Sequence, residues 1–368
     1  MKRRHHLVVS LVLILAASLP VRADDVDDFV RALMEQRHIP AISIAVIKDG
    51  VLMKAAGYGL ADMEHNVAAR PDTVYKIGST SKQFIASGIM LLIQDAKISV
   101  GDKLSKYIEG TPEAWQDITI RHLLTHTSGL GREGPAFEPY KIQPDIEVIK
   151  SAYSVPLLFK PGEKHEYSNL GYFTLAEIIH RVSGQSWETF LSERIFSPLG
   201  MTATRPTSVF DIIANRADGY VWNETRFANA ENWPAARPSG AFLSTVLDMA
   251  KWEAALQTER ILKVSTKTEM WTPVTLNNGQ KYPYGYGWEL DDFPPGQFGG
   301  DVPSIRHGGT IPGFRAAYTR FPRQNLAVVV LSNLNGAALD LVVGGIAVRY
   351  APELRPAALK RWTEAELK

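Results

Sequence analysis

The sequence predicts a mixed α/β (α+β) fold, in which an antiparallel sheet built from both termini is flanked by helices and carries an inserted all-helical lobe. Three observations lead there. Near the start, two β-prone runs are joined by an Asp-Gly pair. The long middle of the chain shows helical rather than alternating apolar spacing, and beyond Tyr282 the strand pattern returns and ends in a helix.

The first helix is expected over Asp24 to Arg37, where Val26, Phe29, Val30, Leu33 and Met34 recur at helical spacing and Pro40 stops the pattern. Ala41 to Ile47 and Val51 to Ala56 then read as strands around Lys48-Asp49-Gly50, a strong two-residue hairpin signal. From Thr80 to Gln94, Phe84, Ile85, Ile89, Leu91 and Leu92 repeat at intervals of three and four, the mark of a well-buried helix. Lys97 to about Thr272 reads as helices and long loops, clearest at Leu175 to Val182 and Trp187 to Phe196. Strands are expected at Ser304 to His307, Phe314 to Phe321 and Leu326 to Leu331, and a last helix near Ala337 to Tyr350. One domain follows, with 24–96 and 282–368 as the sheet lobe and 97–281 as the helical lobe.

Charge excludes one class of partner. Lys plus Arg total 40 against 39 Asp plus Glu, with no long block of one sign, so nothing recruits nucleic acid. Residues 1–23 combine Lys2-Arg3-Arg4, an apolar run from Leu7 to Leu19, and Val21-Arg22-Ala23. This pattern predicts a signal peptide cut after Ala23 and a periplasmic or secreted mature chain. The apolar run is shorter than the ~20 residues of a spanning helix, so no stable membrane insertion is expected after cleavage. The chain has no cysteine, which rules out disulfides, thiolate metal sites and a lipid-modified cysteine after the signal.

The chemistry is expected at Gly78-Ser79-Thr80-Ser81-Lys82, where loop gives way to the buried helix. Residues three apart share a helix face, so Lys82 would place its amine beside the Ser79 hydroxyl. A partly desolvated lysine of lowered pKa can take the hydroxyl proton, and the helix N-terminus favours a developing oxyanion. Taken alone, S-x-x-K is better explained by a serine capping a helix.

Two further segments, Tyr167-Ser168-Asn169 after Phe159-Lys160-Pro161-Gly162-Glu163, and His307-Gly308-Gly309-Thr310, complete a three-motif set. With it the sequence resembles the serine β-lactamase and penicillin-binding-protein superfamily. The similarity is to the branch of class C β-lactamases, D-alanyl-D-alanine carboxypeptidases, D-aminopeptidases and related esterases. Ile118 to Leu130, with its Leu124-Thr125-His126-Thr127-Ser128-Gly129-Leu130, and Tyr284-Gly285-Tyr286-Gly287-Trp288 also look like family segments.

The resemblance implies a β-lactamase-like fold and a role for each matching residue. Ser79 would attack a carbonyl and become acylated. Lys82 and Tyr167 would move the proton, either of them being the base. Asn169 would hold Lys82 and the acyl side of the substrate, and the N–H groups of Ser79 and Thr310 would form the oxyanion hole. Gly308 and Gly309 would let the strand approach the substrate closely. No metal and no cofactor is implied.

Where the β-lactamase pattern has Lys-Thr-Gly, this chain has His307-Gly308-Gly309. The loss of a permanent cation weakens recognition of a substrate carboxylate, although Thr310 and Arg315 could restore part of it. Small carboxylic esters are therefore the expected substrates, with a β-lactam or a D-amino-acid peptide as the alternative and a non-catalytic peptidoglycan binder as a remoter one. His307 is expected in the site rather than merely pinning its strand to a backbone carbonyl. His122 and His126 are four apart as zinc ligands can be, but without a third ligand they read as structural. His165 reads as a loop residue. Tyr282, Tyr284, Tyr286 and Trp288 read equally as acyl-pocket lining or as core bracing. Gly131 to Tyr140 is the expected rim of the site. Oligomeric state is not readable from the sequence.

Overall fold

The computed structural model of the protein describes residues 23–234, 237–293 and 302–355. The leader expected over 1–23 lies outside the described residues except for Ala23. So does the end of the sheet lobe, 356–368.

Helix α1 (Ala23–Gln36) buries Val26, Val30 and Met34, and the chain reverses at His38, in a left-handed conformation, just before Pro40. Strands β1 (Ala41–Lys48) and β2 (Val51–Asp62) form the hairpin. Asp49 at φ 50° and Gly50 at φ 76° both take the left-handed region that a two-residue turn of this kind requires. β2 runs beyond its expected end and pairs with β3 (Val67–Ala68). After β4 (Tyr75–Lys76), a 3₁₀ turn over Gly78–Ser81 leads into α2 (Lys82–Gln94), buried from Lys82 to Leu92.

The middle of the chain holds α3 (Ile120–Leu124), α4 (Asp145–Ser151), α5 (Asn169–Ser183), α6 (Trp187–Leu191) and α7 (Ser197–Leu199). The helix expected over Trp187 to Phe196 is α-helical only to Leu191, and a π turn occupies Ser192–Phe196. Short strands accompany these helices: β5 (Arg205–Pro206), β6 (Tyr220–Trp222) and β7 (Phe227–Asn229), then β8 (Phe242–Ser244) after α8 (Arg237–Gly240). Helices α9 (Val246–Leu256) and α10 (Val264–Met270) precede β9 (Val274–Thr275) and β10 (Lys281–Tyr282). These strands span two or three residues, too few for an alternating pattern to register in the sequence.

Strands β11 (Ile305–Ile311), β12 (Phe314–Phe321) and β13 (Leu326–Ser332) and helix α11 (Leu339–Tyr350) close the described chain. The main sheet has the order β11-β12-β13-β1-β2-β3, with every pair antiparallel. Ala45 of β1 faces Val329 of β13 on one side and Ala55 of β2 on the other, so the two ends of the chain meet at the sheet's centre. Apart from Ser43, whose hydroxyl bonds the Arg70 carbonyl and Tyr75, β1 is apolar on both faces up to Ile47 because both are covered. Ile42, Ile44 and Val46 pack with α1 and α11, while Ala41, Ala45 and Ile47 join the larger core around α2 and α9. Strand β11 extends well past its expected end through Gly308 and Gly309, and the turn bearing Ser79 packs against it.

Candidate active site

Ser79 sits in the 3₁₀ turn before α2, and its hydroxyl caps no helix. The residue preceding α2 is Ser81, whose Oγ donates to the Gly78 carbonyl at 2.6 Å. Ser79 is half-buried, whereas Lys82 is fully buried. Lys82 Nζ lies 3.2 Å from Ser79 Oγ, 2.7 Å from Asn169 Oδ1 and 2.6 Å from the Ser239 carbonyl oxygen. Burial holds the Lys82 amine well below the ordinary lysine range; Glu133 partly opposes this and Arg132 adds to it.

Tyr167 and Asn169 are placed by the start of α5. Ser168 caps that helix by accepting the Gly171 N–H at 3.0 Å and donates its own hydroxyl to the Gly131 carbonyl at 2.8 Å. Asn169 faces Lys82 through Oδ1, and its Nδ2 donates to Glu133 Oε1 at 2.5 Å. The Tyr167 ring centroid is 4.8 Å from Lys82 Nζ. Its hydroxyl is buried and makes no well-formed hydrogen bond; burial raises the phenol above its ordinary range, and the Ser79 hydroxyl opposes the shift.

Strand β11 forms the opposite wall. Thr80 Oγ1 donates to the His307 carbonyl at 3.2 Å. A Cβ on Gly78 would lie 2.5 Å from the Thr310 nitrogen, and one on Gly309 would lie 1.9 Å from the Ile77 carbonyl oxygen. The close approach expected of Gly309 is therefore made to the protein's own chain rather than to a substrate, and it brings the Thr310 N–H alongside the turn bearing the Ser79 N–H. A Cβ on Gly308 would meet nothing nearer than the Ala316 carbonyl at 3.7 Å. Thr310 is exposed and accepts a hydrogen bond from Arg315 Nη1 on β12.

His307 differs from its expected place. It is 2% exposed, with Nδ1 bonded to the Gly308 carbonyl at 2.7 Å and Nε2 to the Tyr284 hydroxyl at 3.0 Å. Burial, with Lys82 nearby, pushes it down to about 3, so it is a neutral ring behind the strand with no free atom for a ligand. The ring nonetheless borders a cleft beside β11, together with Glu289, Arg306, Gly308, Arg315 and Asp340.

His122 closes a capping box with Thr119 at the start of α3, while His126 is buried and bonded to Ser168 and Tyr284. His165 stacks on Tyr282 with ring centroids 3.8 Å apart. Tyr284, Tyr286 and Trp288 are buried in the core, and Tyr286 donates to Glu269. Glu133 and Arg132, whose guanidinium lies 5.4 Å from the Tyr167 ring centre, fall in the Gly131 to Tyr140 segment expected at the rim but were not singled out, and the Ser239 carbonyl carried no sequence signal. All three reach the site by tertiary folding.

The Beta-lactamase family model matches residues 26–351. Penicillin-binding protein 4* of Bacillus subtilis (strain 168) is 28% identical over 79% of this chain and 67% of its own length. Protein flp of Staphylococcus aureus (strain MW2) is 26% identical over 86% of this chain and 64% of its own. The chain thus spans about two thirds of the length of these curated relatives. The structure of the octameric penicillin-binding protein homologue from Pyrococcus abyssi superposes with a TM-score of 0.77 at 28% identity, covering 89% of this chain and 77% of that one. D-amino acid amidase from Ochrobactrum anthropi SV3, complexed with L-phenylalanine amide, gives 0.75 at 25% identity, covering 90% and 98%. No helix among the described residues is long and apolar enough to cross a membrane. The match over nearly the whole described chain places this protein in the Beta-lactamase family, among the serine hydrolases of the β-lactamase and penicillin-binding-protein type.

Proposed function

We propose that this protein hydrolyses small carboxylic esters through a covalent acyl-enzyme on Ser79. One observation carries the reading. Lys82 Nζ has two neighbours that can only accept, Asn169 Oδ1 and the Ser239 carbonyl. In the neutral amine the two N–H bonds go to these, and the lone pair is left facing the Ser79 hydroxyl at 3.2 Å. Lys82 is then the base: it takes the Ser79 proton as Oγ forms its bond to the substrate carbonyl carbon. Tyr167, whose phenol is held protonated by burial, gives a proton to the departing alkoxide and is restored from Lys82. The Ser79 and Thr310 N–H groups receive the oxyanion. Water then attacks the ester of Ser79 by the same proton path in reverse.

The ester preference rests on His307, a neutral ring where a lactamase carries a cation. A second reading, an amide or ester of an amino acid, is favoured by Glu133. Its carboxylate lies beside Asn169 on the acyl side, with Oε2 making no hydrogen bond, and would suit a cationic acyl group. The relative described as a D-amino acid amidase supports this reading too.

The test is a panel of a p-nitrophenyl ester, a chromogenic cephalosporin, a D-amino-acid amide and a D-Ala-D-Ala peptide, each against wild type and Ser79→Ala. Ester turnover that vanishes in Ser79→Ala supports the main reading. Dominant amide turnover moves the assignment to amino-acyl substrates, and dominant lactam or peptide turnover overturns the argument from His307. Fluorophosphonate labelling that survives Ser79→Ala would reject Ser79 as the nucleophile.

A further inference from the structure

Behind Tyr167 runs a chain of buried hydrogen bonds that the reaction does not use. His126 follows α3 with φ 58°, a left-handed conformation uncommon for a residue with a side chain. It grips the segment around Tyr167 at two points: its carbonyl accepts the Glu166 N–H at 2.9 Å, and its Nδ1 accepts the Ser168 N–H at 3.1 Å. Between those points its ring packs on the Tyr167 ring with centroids 4.1 Å apart. Its Nε2 lies 3.2 Å from the Tyr284 hydroxyl, which lies 3.0 Å from His307 Nε2, and His307 Nδ1 lies 2.7 Å from the Gly308 carbonyl oxygen.

The two ends of this chain decide the tautomers of both histidines. A backbone N–H can only donate, so His126 Nδ1 is bare and, in the neutral ring, Nε2 carries the hydrogen. That N–H donates to the Tyr284 oxygen. A backbone carbonyl can only accept, so His307 Nδ1 carries the hydrogen and its Nε2 is bare. The Tyr284 hydroxyl also neighbours Tyr172, which gives its own proton to the Leu124 carbonyl, and the Tyr284 O–H donates to the bare His307 Nε2 at 3.0 Å. Five groups are satisfied in one direction, from Ser168 N–H to Gly308 C=O, and the two histidines hold opposite tautomers. Burial keeps both rings neutral: His126, near Lys82, His165 and Arg132, is held well below the ordinary imidazole range, as is His307.

We propose that His126, Tyr284 and His307 form a one-directional hydrogen-bond strut that sets the distance between Tyr167 and the oxyanion strand β11, as positioning residues for acyl transfer at Ser79. The strut rests on the Ser79 reading of the site. It also gives His307 a physical reason. A protonated lysine there would have three donors and no lone pair, so the Tyr284 proton would lose its acceptor. Deleting the Tyr284 hydroxyl leaves a buried donor on His126 and a buried acceptor on His307 unpaired, and lets the Tyr167 segment and β11 drift apart.

The experiment has two arms. Nitrogen-detected NMR of the wild-type imidazoles is expected to show the hydrogen on Nε2 of His126 and on Nδ1 of His307. Any other pair of tautomers overturns the strut, and this arm needs no substitution to fold. In the second arm, Tyr284→Phe is expected to lower kcat roughly 10- to 100-fold, the scale of a misplaced reacting group, with KM little changed and with binding of a fluorophosphonate slowed in parallel. A folded Tyr284→Phe with wild-type kcat, beside an inactive Ser79→Ala, would overturn the strut while leaving the nucleophile in place. Turnover surviving in Ser79→Ala would instead reject the functional reading, with the tautomers still measurable.

Discussion

Two buried lysines six residues apart show what makes a lysine chemically useful in this molecule. Lys76, at the end of β4, and Lys82, at the start of α2, are both about 1% exposed or less. Neither makes an ion pair among the described residues, and both are pushed down by burial, Lys76 to about 8. Their neighbours differ. Lys76 Nζ donates to Asn232 Oδ1 at 2.5 Å and to the Trp233 carbonyl at 3.2 Å, tying down a loop. Lys82 has the same kind of carbonyl acceptors plus a serine hydroxyl at the third position. Desolvation keeps an amine neutral, with its lone pair available; only the hydroxyl beside it turns that into chemistry.

The sharpest break of this comparison is a pair of truncations. Lys82→Ala is expected to cost ~10²- to 10⁴-fold in acylation rate, the usual contribution of a positioned general base. Lys76→Ala is expected to keep the rate within a few-fold. Rapid-quench acylation with a p-nitrophenyl ester measures both, and equal losses would mean that burial rather than the serine contact matters.

Stability separates them next. Between the folded value of about 8 and the unfolded 10.5, the unfolded chain binds the Lys76 proton and the native protein does not. Stability from this group therefore rises with pH across that window, and its full cost is present below it. Lys76→Met removes the cost, which is at most roughly 3 kcal/mol, less what the Asn232 and Trp233 contacts return. The expected result is a higher thermal midpoint at pH 7 and a smaller rise from pH 8 to 10 than in wild type. Parallel melting curves for the two proteins would count against a perturbed Lys76.

The smallest effect concerns Glu133, which raises the Lys82 pKa against burial. With the neutral Lys82 amine as the proposed base, kcat/KM is expected to fall as pH drops through the Lys82 pKa. Glu133→Gln removes the opposing charge and should move that acid limb to lower pH by roughly one unit or less. A limb that moves upward, or stays in place, would show that Glu133 does not act on Lys82.

Much of this was legible in the sequence where a signal is local. The spacing of Ser79 and Lys82 is a helical interval, Asp49-Gly50 is a turn in miniature, and the apolar periods of α2 and α5 come from residues within a few turns of each other. The helix expected at Thr80 begins two residues later because a 3₁₀ turn holds Ser79 clear of α2, which also removes the capping explanation of that serine. Glycines concealed the length of β11, since Gly308 and Gly309 have weak strand preference and Gly309 owes its place to the turn lying against it. Glu133 stayed invisible because it is one of many loop carboxylates until folding puts it beside Asn169.

The sequence by itself determined most of the elements and the candidate reacting groups, because helix faces, hairpin turns and motif spacing depend on residues close along the chain. Only the tertiary structure decided their electrical state. Whether Lys82 holds a lone pair toward Ser79, whether His307 is a cation for a ligand or a neutral ring behind its strand, and what Gly309 makes room for all depend on groups brought from Asn169, Ser239, Tyr284 and Ile77. Burial and hydrogen-bond partners set protonation, and partners distant in sequence exist only once the chain has folded.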